Sequence, residues 1–309
     1  MALLTVFNEI SILFLLILAG FIARKMNLLG DEINKGISVL VLQFTLPALI
    51  IKSMQFSFTR EVMLGSIHMI LVSIIVHGLA IAIAIITPRI LKVEGDRKRI
   101  FQFTLVFSNV GYMGYPVLDA IYGEIGVFYG ALFNIPFNFL LWTVGVIIMT
   151  QGRSGVTEAK FNYKRLAFNP GIISVFIGFS LFLFSIELPY VIFRTLDLLG
   201  NTTTPLSMLV IGAMLAEISL REIFIEEKLL SISIIRLAVI PLVTFALLKF
   251  FGASGLLIGI PVVISGMPAA ANTAVFATMF DVEPHLASKA VFNTTLLSMI
   301  SIPLLTMLL

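Results

Sequence analysis

Apolar runs about twenty residues long recur from one end of this chain to the other, and no other feature constrains its fold as much. At a rise of about 1.5 Å per residue, such a run crosses the roughly 30 Å of bilayer hydrocarbon as a helix. There, every backbone N–H and C=O must find a partner within the protein, which leaves only helices and closed barrels. Barrel strands alternate polar and apolar residues, whereas these runs are continuous. The sequence therefore predicts an all-α polytopic membrane protein with ten transmembrane helices, at roughly 7–23, 36–54, 64–87, 101–122, 126–150, 169–187, 203–218, 229–250, 254–280 and 285–308. Of the 309 residues, 59% are apolar and 12% charged, against about half and a quarter in soluble domains. This composition argues against a water-soluble enzyme.

The longest polar interruption, QGRSGVTEAKFNYKR at 151–165, divides the spans five and five. It predicts a first five-helix repeat over 1–150, a cytoplasmic linker over 151–168 and a second repeat over 169–309. The segment LPYVIFRTLDLLG at 188–200 is amphipathic and too short to span, so it is expected along the interface. One set of alternate loops carries fifteen Lys and Arg, including Arg89, Lys92, Arg97, Lys98 and Arg99; the other carries four, Lys52, Arg60, Arg194 and Lys249. The basic set belongs in the cytoplasm, so both termini face outside and the two halves are inverted. Without gaps, a shift of 159 residues brings Glu124 onto Glu283, Ala131 onto Ala290 and Phe133-Asn134 onto Phe292-Asn293. Glu9, in place of basic residues, precedes the first apolar run, which reads as a mature helix and not a cleaved signal. The chain has no cysteine, so disulfides and thiolate sites are excluded. The net charge of +3 does not suggest nucleic acid as a partner.

Residues that break helices cluster in two spans. The fourth has Asn109, Gly111, Gly114 and Pro116; the ninth has Gly266, Pro268 and Asn272. Proline removes a donor and clashes with the preceding turn, and broken helices in hydrocarbon survive where they are buried in protein or line a wet cavity. Paired interruptions in corresponding places point to a transport site; the alternative is proline kinks with packing glycines. In the fifth span, Asn134 and Asn138 lie four apart on one helix face around Pro136, and the tenth has Asn293, Thr294 and Thr295. These amides suit a carboxylate, or else interhelical hydrogen bonds. Gln43, Thr45 and Pro47, with Asn201 and Pro205, are lesser candidates. Arg236 is read as snorkelling to the cytoplasmic surface, with an anion contact as the alternative. Asp119 is a candidate coupling group or a vestibule residue; His68 is another candidate for coupling, and it and His77 also fit structural roles. No hydrolase, metal or nucleotide motif occurs, so no catalytic residue, metal or cofactor is expected.

The stretches SNVGYMGYPVLDAIYGEIGVFYGALFNIPFNFLLWTVGV, NPGIISVFIGFSLFL and GMPAAANTAVFATMFDVEPHLASKAVFNTTLLSMISIPLL together resemble the auxin efflux carrier family. The resemblance implies an inverted five-helix repeat, a scaffold of spans 1, 2, 6 and 7, and a transport domain of spans 3–5 and 8–10 whose fourth and ninth spans cross. It also implies transport of organic anions; bacterial-type members are described as malate or malonate permeases. By resemblance, Asn109 matches a substrate-contacting asparagine, Asn138 a polar fifth-span position, and Pro268 a proline of the crossing. Ser108 stands where the plant carriers have proline, so the fourth-span break should spread over 108–114 with free amides for an anion. The plant carriers' acidic–basic pair in the third span is absent, with only His68 nearby, and so is the long loop many of them carry.

The expected protein is a secondary transporter of a small organic anion, a carboxylate such as malate or malonate or an auxin-like acid, working by alternating access in a bacterial inner membrane. The alternatives are a sodium-coupled symporter resembling the bile-acid family and a non-transporting sensor. Small-residue spacings such as Gly126 to Gly130 leave room for a homodimer.

Overall fold

The computed structural model describes residues 3–151, 168–216 and 227–309. The expected linker over 151–168 lies almost wholly outside them. Among the described residues, the regular structure is helical apart from one isolated bridge. Seven helices are long and apolar enough to cross a membrane: Phe7–Lys25, Asp31–Ser53, Arg60–Ile90, Glu124–Thr150, Tyr190–Leu215, Lys228–Phe250 and Pro284–Thr306. Three expected spans fall short for local reasons. The fourth and ninth are interrupted, and the sixth is the 14-residue helix Pro170–Leu183. Its start follows from its sequence: the Asn169 side chain accepts from the Gly171 and Ile172 amides, and Pro170 fits the first turn, where an N–H has no helical partner.

The segment at 188–200 differs from the expectation of a separate interfacial element. It forms the helix Tyr190–Asn201, and only Thr202 separates it from Thr203–Leu215. Together they give a 26-residue apolar stretch. Its polar face is accounted for by the ion pairs of Asp197 described below.

Proline also explains the π-helical turns. Val41–Thr45, Val110–Gly114 and Ile235–Val239 each precede a helix with proline in its first turn, at Pro47, Pro116 and Pro241. The proline ring clashes with the carbonyl four residues back, and that carbonyl lies within the widened turn in each case. The extra residue relieves the clash and rotates everything upstream about the helix axis.

The chain divides into two compact units, each discontinuous in sequence. One contains Met1–Ile70, Gly111–Ile135 and Ala167–Glu217. In it, the Leu3–Lys25 helix packs against Thr203–Leu215 so closely that a Cβ on Gly212 would sit 1.9 Å from the Ile17 carbonyl oxygen, and one on Gly20 would sit 2.3 Å from that of Leu209. Glycine here removes the side chain that would hold the two backbones apart. Phe56, Phe128 and Phe182 form an edge-to-face cluster in the same unit.

The other unit contains Leu71–Val110, Pro136–Leu166 and Ile218–Leu309. Its core is aromatic: Phe103 lies against Phe107 and Phe276, Phe107 meets Phe137 edge-on, and Trp142 stacks at a tilt on Phe276. This unit holds both helix interruptions at their point of closest pairing.

Candidate substrate site

The Gly95–Val106 helix stops because Phe107 turns to extended backbone, at φ −103° and ψ 115°. Ser108 and Asn109 follow, residues whose short polar side chains compete with helical bonding. Helix resumes only as the π turn Val110–Gly114 and then Tyr115–Tyr122. The break therefore spreads over 107–114, as the serine in place of proline predicts.

The second interruption has a sharper cause. Leu256–Ser265 ends at Gly266, where a Cβ would meet Leu305 Cδ2 at 2.3 Å. Pro268 then disfavours helix at Met267 and supplies no N–H. Helix resumes at Asn272–Met279.

The two interruptions satisfy each other. The Asn109 amide donates to the Pro268 carbonyl at 2.8 Å, and the Ala270 amide donates to the Phe107 carbonyl at 2.9 Å. Ser108 and Ala269 thus form an antiparallel bridge, the smallest unit of a β-ladder. Of the two bridge residues, Ala269 donates its N–H to Thr294 Oγ at 3.0 Å. Of the amides expected to be free over 108–114, that of Asn109 is instead taken by the chain itself, as are those of Ala269 and Ala270 across from it. Asn109, Pro268 and Thr294 are all buried.

Arg236 completes this centre. It lies in the π turn Ile235–Val239 and is 1% exposed. Its Nε donates to the Met267 carbonyl at 3.1 Å and its Nη1 to the Leu105 carbonyl at 3.0 Å. The Leu105 carbonyl lies in the last turn of Gly95–Val106, where backbone dipoles leave partial negative charge, and the Met267 carbonyl lies two residues past the end of Leu256–Ser265. The guanidinium joins the two interrupted segments. The snorkelling expected from sequence does not occur. Three residues earlier on the same face, Ser233 Oγ accepts from Asn293 Nδ2 at 3.2 Å. Asn293 Oδ1 and Arg236 Nη2 are buried without a hydrogen-bond partner among the described residues.

Other residues singled out from sequence fall in different places. Asn138 and Asn272 are half-buried in the same unit as Asn109. Gly111, Gly114, Pro116, Asp119, Asn134 and His68 belong to the other unit. There Asn134 Nδ2 donates to the Tyr115 hydroxyl at 3.2 Å, and His68 is exposed on the face of its helix. His77 meets the Ser73 carbonyl at 2.7 Å through Nδ1 and packs edge-on against Phe137, which fits a structural histidine.

Sequence reasoning missed one polar cluster. Lys52 pairs with Asp197 at 2.8 Å and Glu124 at 3.4 Å, and donates to Asn201 Oδ1 at 2.8 Å. Asp119 lies within electrostatic reach of Lys52 and Glu124. The pairing joins residues up to 149 apart in sequence, so no local pattern signals it.

Paired helix interruptions are a recurring feature of membrane transporters, and a family model described as membrane transport protein matches residues 5–306. The chain belongs to this family, that of the auxin efflux carriers. Its relatives span nearly its whole length. A protein of Methanocaldococcus jannaschii, named only as an uncharacterised transporter, is 24% identical over 301 residues, 96% of each chain. An uncharacterised transporter of Methanothermobacter thermautotrophicus is 26% identical, over 94% of this chain and 93% of the relative. A protein of Rhizobium meliloti, provisionally named a malonate transporter, is 26% identical over 93% of this chain and 90% of its own. The family member described here is thus an integral membrane protein of a transporter family.

Proposed function

We propose that this protein is a secondary transporter moving a small carboxylate, of the size of malonate or malate, by alternating access. The observation that carries the reading is the pair of buried helix interruptions bonded to each other at 107–109 and 268–270. Unwinding a helix in a bilayer orphans backbone groups, and a chain retains such a feature where substrate must reach the backbone. In this reading the two interrupted segments count as the fourth and ninth of ten spans. The helix ends Val106 and Ser265 lie 159 residues apart, the offset of the sequence repeat, which supports two inverted halves. Spans 1, 2, 6 and 7 serve as scaffold, and the rest as the moving domain. The Asn109, Asn138 and Asn272 side chains orient the substrate. The name of the Rhizobium meliloti relative supports a dicarboxylate.

Transport is then the exchange of two populated states, one open to each side. The test is counterflow: proteoliposomes loaded with unlabelled malonate or malate should accumulate the labelled acid, and replacing sodium with potassium should leave uptake unchanged. Binding without counterflow would identify a sensor, and uptake lost without sodium would identify a symporter.

A further inference from the structure

Among the described residues, one edge of the Arg236 guanidinium meets no acceptor, and the chemistry of that edge names what it takes. The side chain is 1% exposed. Nε and Nη1 are committed to the Met267 and Leu105 carbonyls, while Nη2 has no partner among the described residues. Among the described residues, the ion pairs join other side chains, and none reaches this guanidinium. A buried cation is tolerated when it is paired and its donors are satisfied. The two carbonyls supply part of the compensation, but they leave the outer N–H groups of Nη2 without an acceptor.

We propose that Arg236 is a substrate-binding residue: Nη2 donates to a carboxylate oxygen of the ionised substrate, which supplies the missing acceptor and counter-charge. The proposal rests on the carboxylate-transport reading above. The guanidinium is planar and its donors diverge in a fixed fork. With two of them held by carbonyls from the two interrupted segments, the direction of the third is set by the backbone at 105 and 267. A carboxylate on Nη2 is therefore bound to a group that holds both interruptions, and any rearrangement of either moves the binding edge. Asn293 bonds Ser233, three residues before Arg236, and its oxygen has no partner among the described residues. A neutral acid would leave the charge uncompensated, so the site selects the ionised form.

The test compares thermal melts of the purified parent and Arg236→Gln over a malonate, malate and acetate series. At least one acid should stabilise the parent, by mass action. In Arg236→Gln, its apparent affinity should fall by about tenfold or more, since a hydrogen bond between charged groups is lost. If the variant melts lower but keeps the parent's affinity, Arg236 only clamps the interrupted segments and the proposal falls alone. If none of the acids stabilises the parent, the carboxylate reading falls and takes this proposal with it. A crystal structure of the parent grown with the stabilising acid tests the same point without substitution. A carboxylate oxygen within about 3.2 Å of Nη2 supports the proposal, and a ligand bound elsewhere overturns it.

Discussion

Thr294 and Asn109 both sit at the paired interruption, yet their side chains are expected to answer to different experiments. The Thr294 hydroxyl accepts from the Ala269 amide at 3.0 Å and donates to the Ala290 carbonyl at 2.7 Å. Thr294→Val keeps the shape and removes the acceptor, leaving a buried amide with no partner. The expected loss is about 1–3 kcal/mol of stability, read as a lower melting temperature in detergent. Asn109 differs because its backbone makes the bond to the second interruption, and Asn109→Ala preserves that bond. Its amide side chain is proposed to meet substrate. The variant should melt within a few degrees of the parent while losing roughly tenfold to a hundredfold in carboxylate affinity, the equivalent of about 1–3 kcal/mol. Unchanged affinity with a large drop in melting temperature would make Asn109 a packing residue.

At the scale of elements, the Leu3–Lys25 and Thr203–Leu215 helices meet where glycine lets the backbones touch. The atoms nearest a Cβ at Gly212 are the Ile17 carbonyl and the Phe21 amide, and these cannot rotate away as a side chain would. Gly212→Ala should cost about 1–3 kcal/mol. Gly78, inside the Arg60–Ile90 helix with nothing within 4 Å of its Cβ position, is the control; Gly78→Ala should be neutral or stabilise by up to about 1 kcal/mol. Melting the two variants side by side checks the pair. These elements also show how far sequence could be read. Both interruptions were visible because Gly and Pro act locally. The ladder between them was not, since bonds between 109 and 268 have no local signature. Arg236 was misread for a further physical reason. A lone charge in an apolar run has a face only if the helix is regular, and the π turn at 235–239 shifts that face. The segment at 188–200 was read as amphipathic and too short to span because neither its continuation into Thr203–Leu215 nor the pairing of Asp197 with distant Lys52 has a local signature.

For the whole molecule, the decisive quantity is the distribution of charge along the chain. Lys and Arg on cytoplasmic loops resist translocation, whereas Asp and Glu contribute little, so a bias of fifteen to four sets orientation more firmly than the net charge of +3 suggests. With ten spans, it predicts that 88–100 and 151–166 face the cytoplasm and both termini the outside, and an odd number of spans in each half would then make the halves antiparallel. The absence of cysteine makes the test clean, because every labelled thiol is an introduced one. Single cysteines at Ser154, in the basic loop, and Ser57, between the Asp31–Ser53 and Arg60–Ile90 helices, should behave oppositely in intact cells. A membrane-impermeant maleimide should modify Ser57→Cys directly and Ser154→Cys only after permeabilisation. The reverse pattern would invert the orientation and, with it, the side from which substrate enters each state. Equal labelling of both in intact cells would place the two loops on one face and so remove a crossing between them. An odd number of spans per half, on which the inverted arrangement depends, would then be lost.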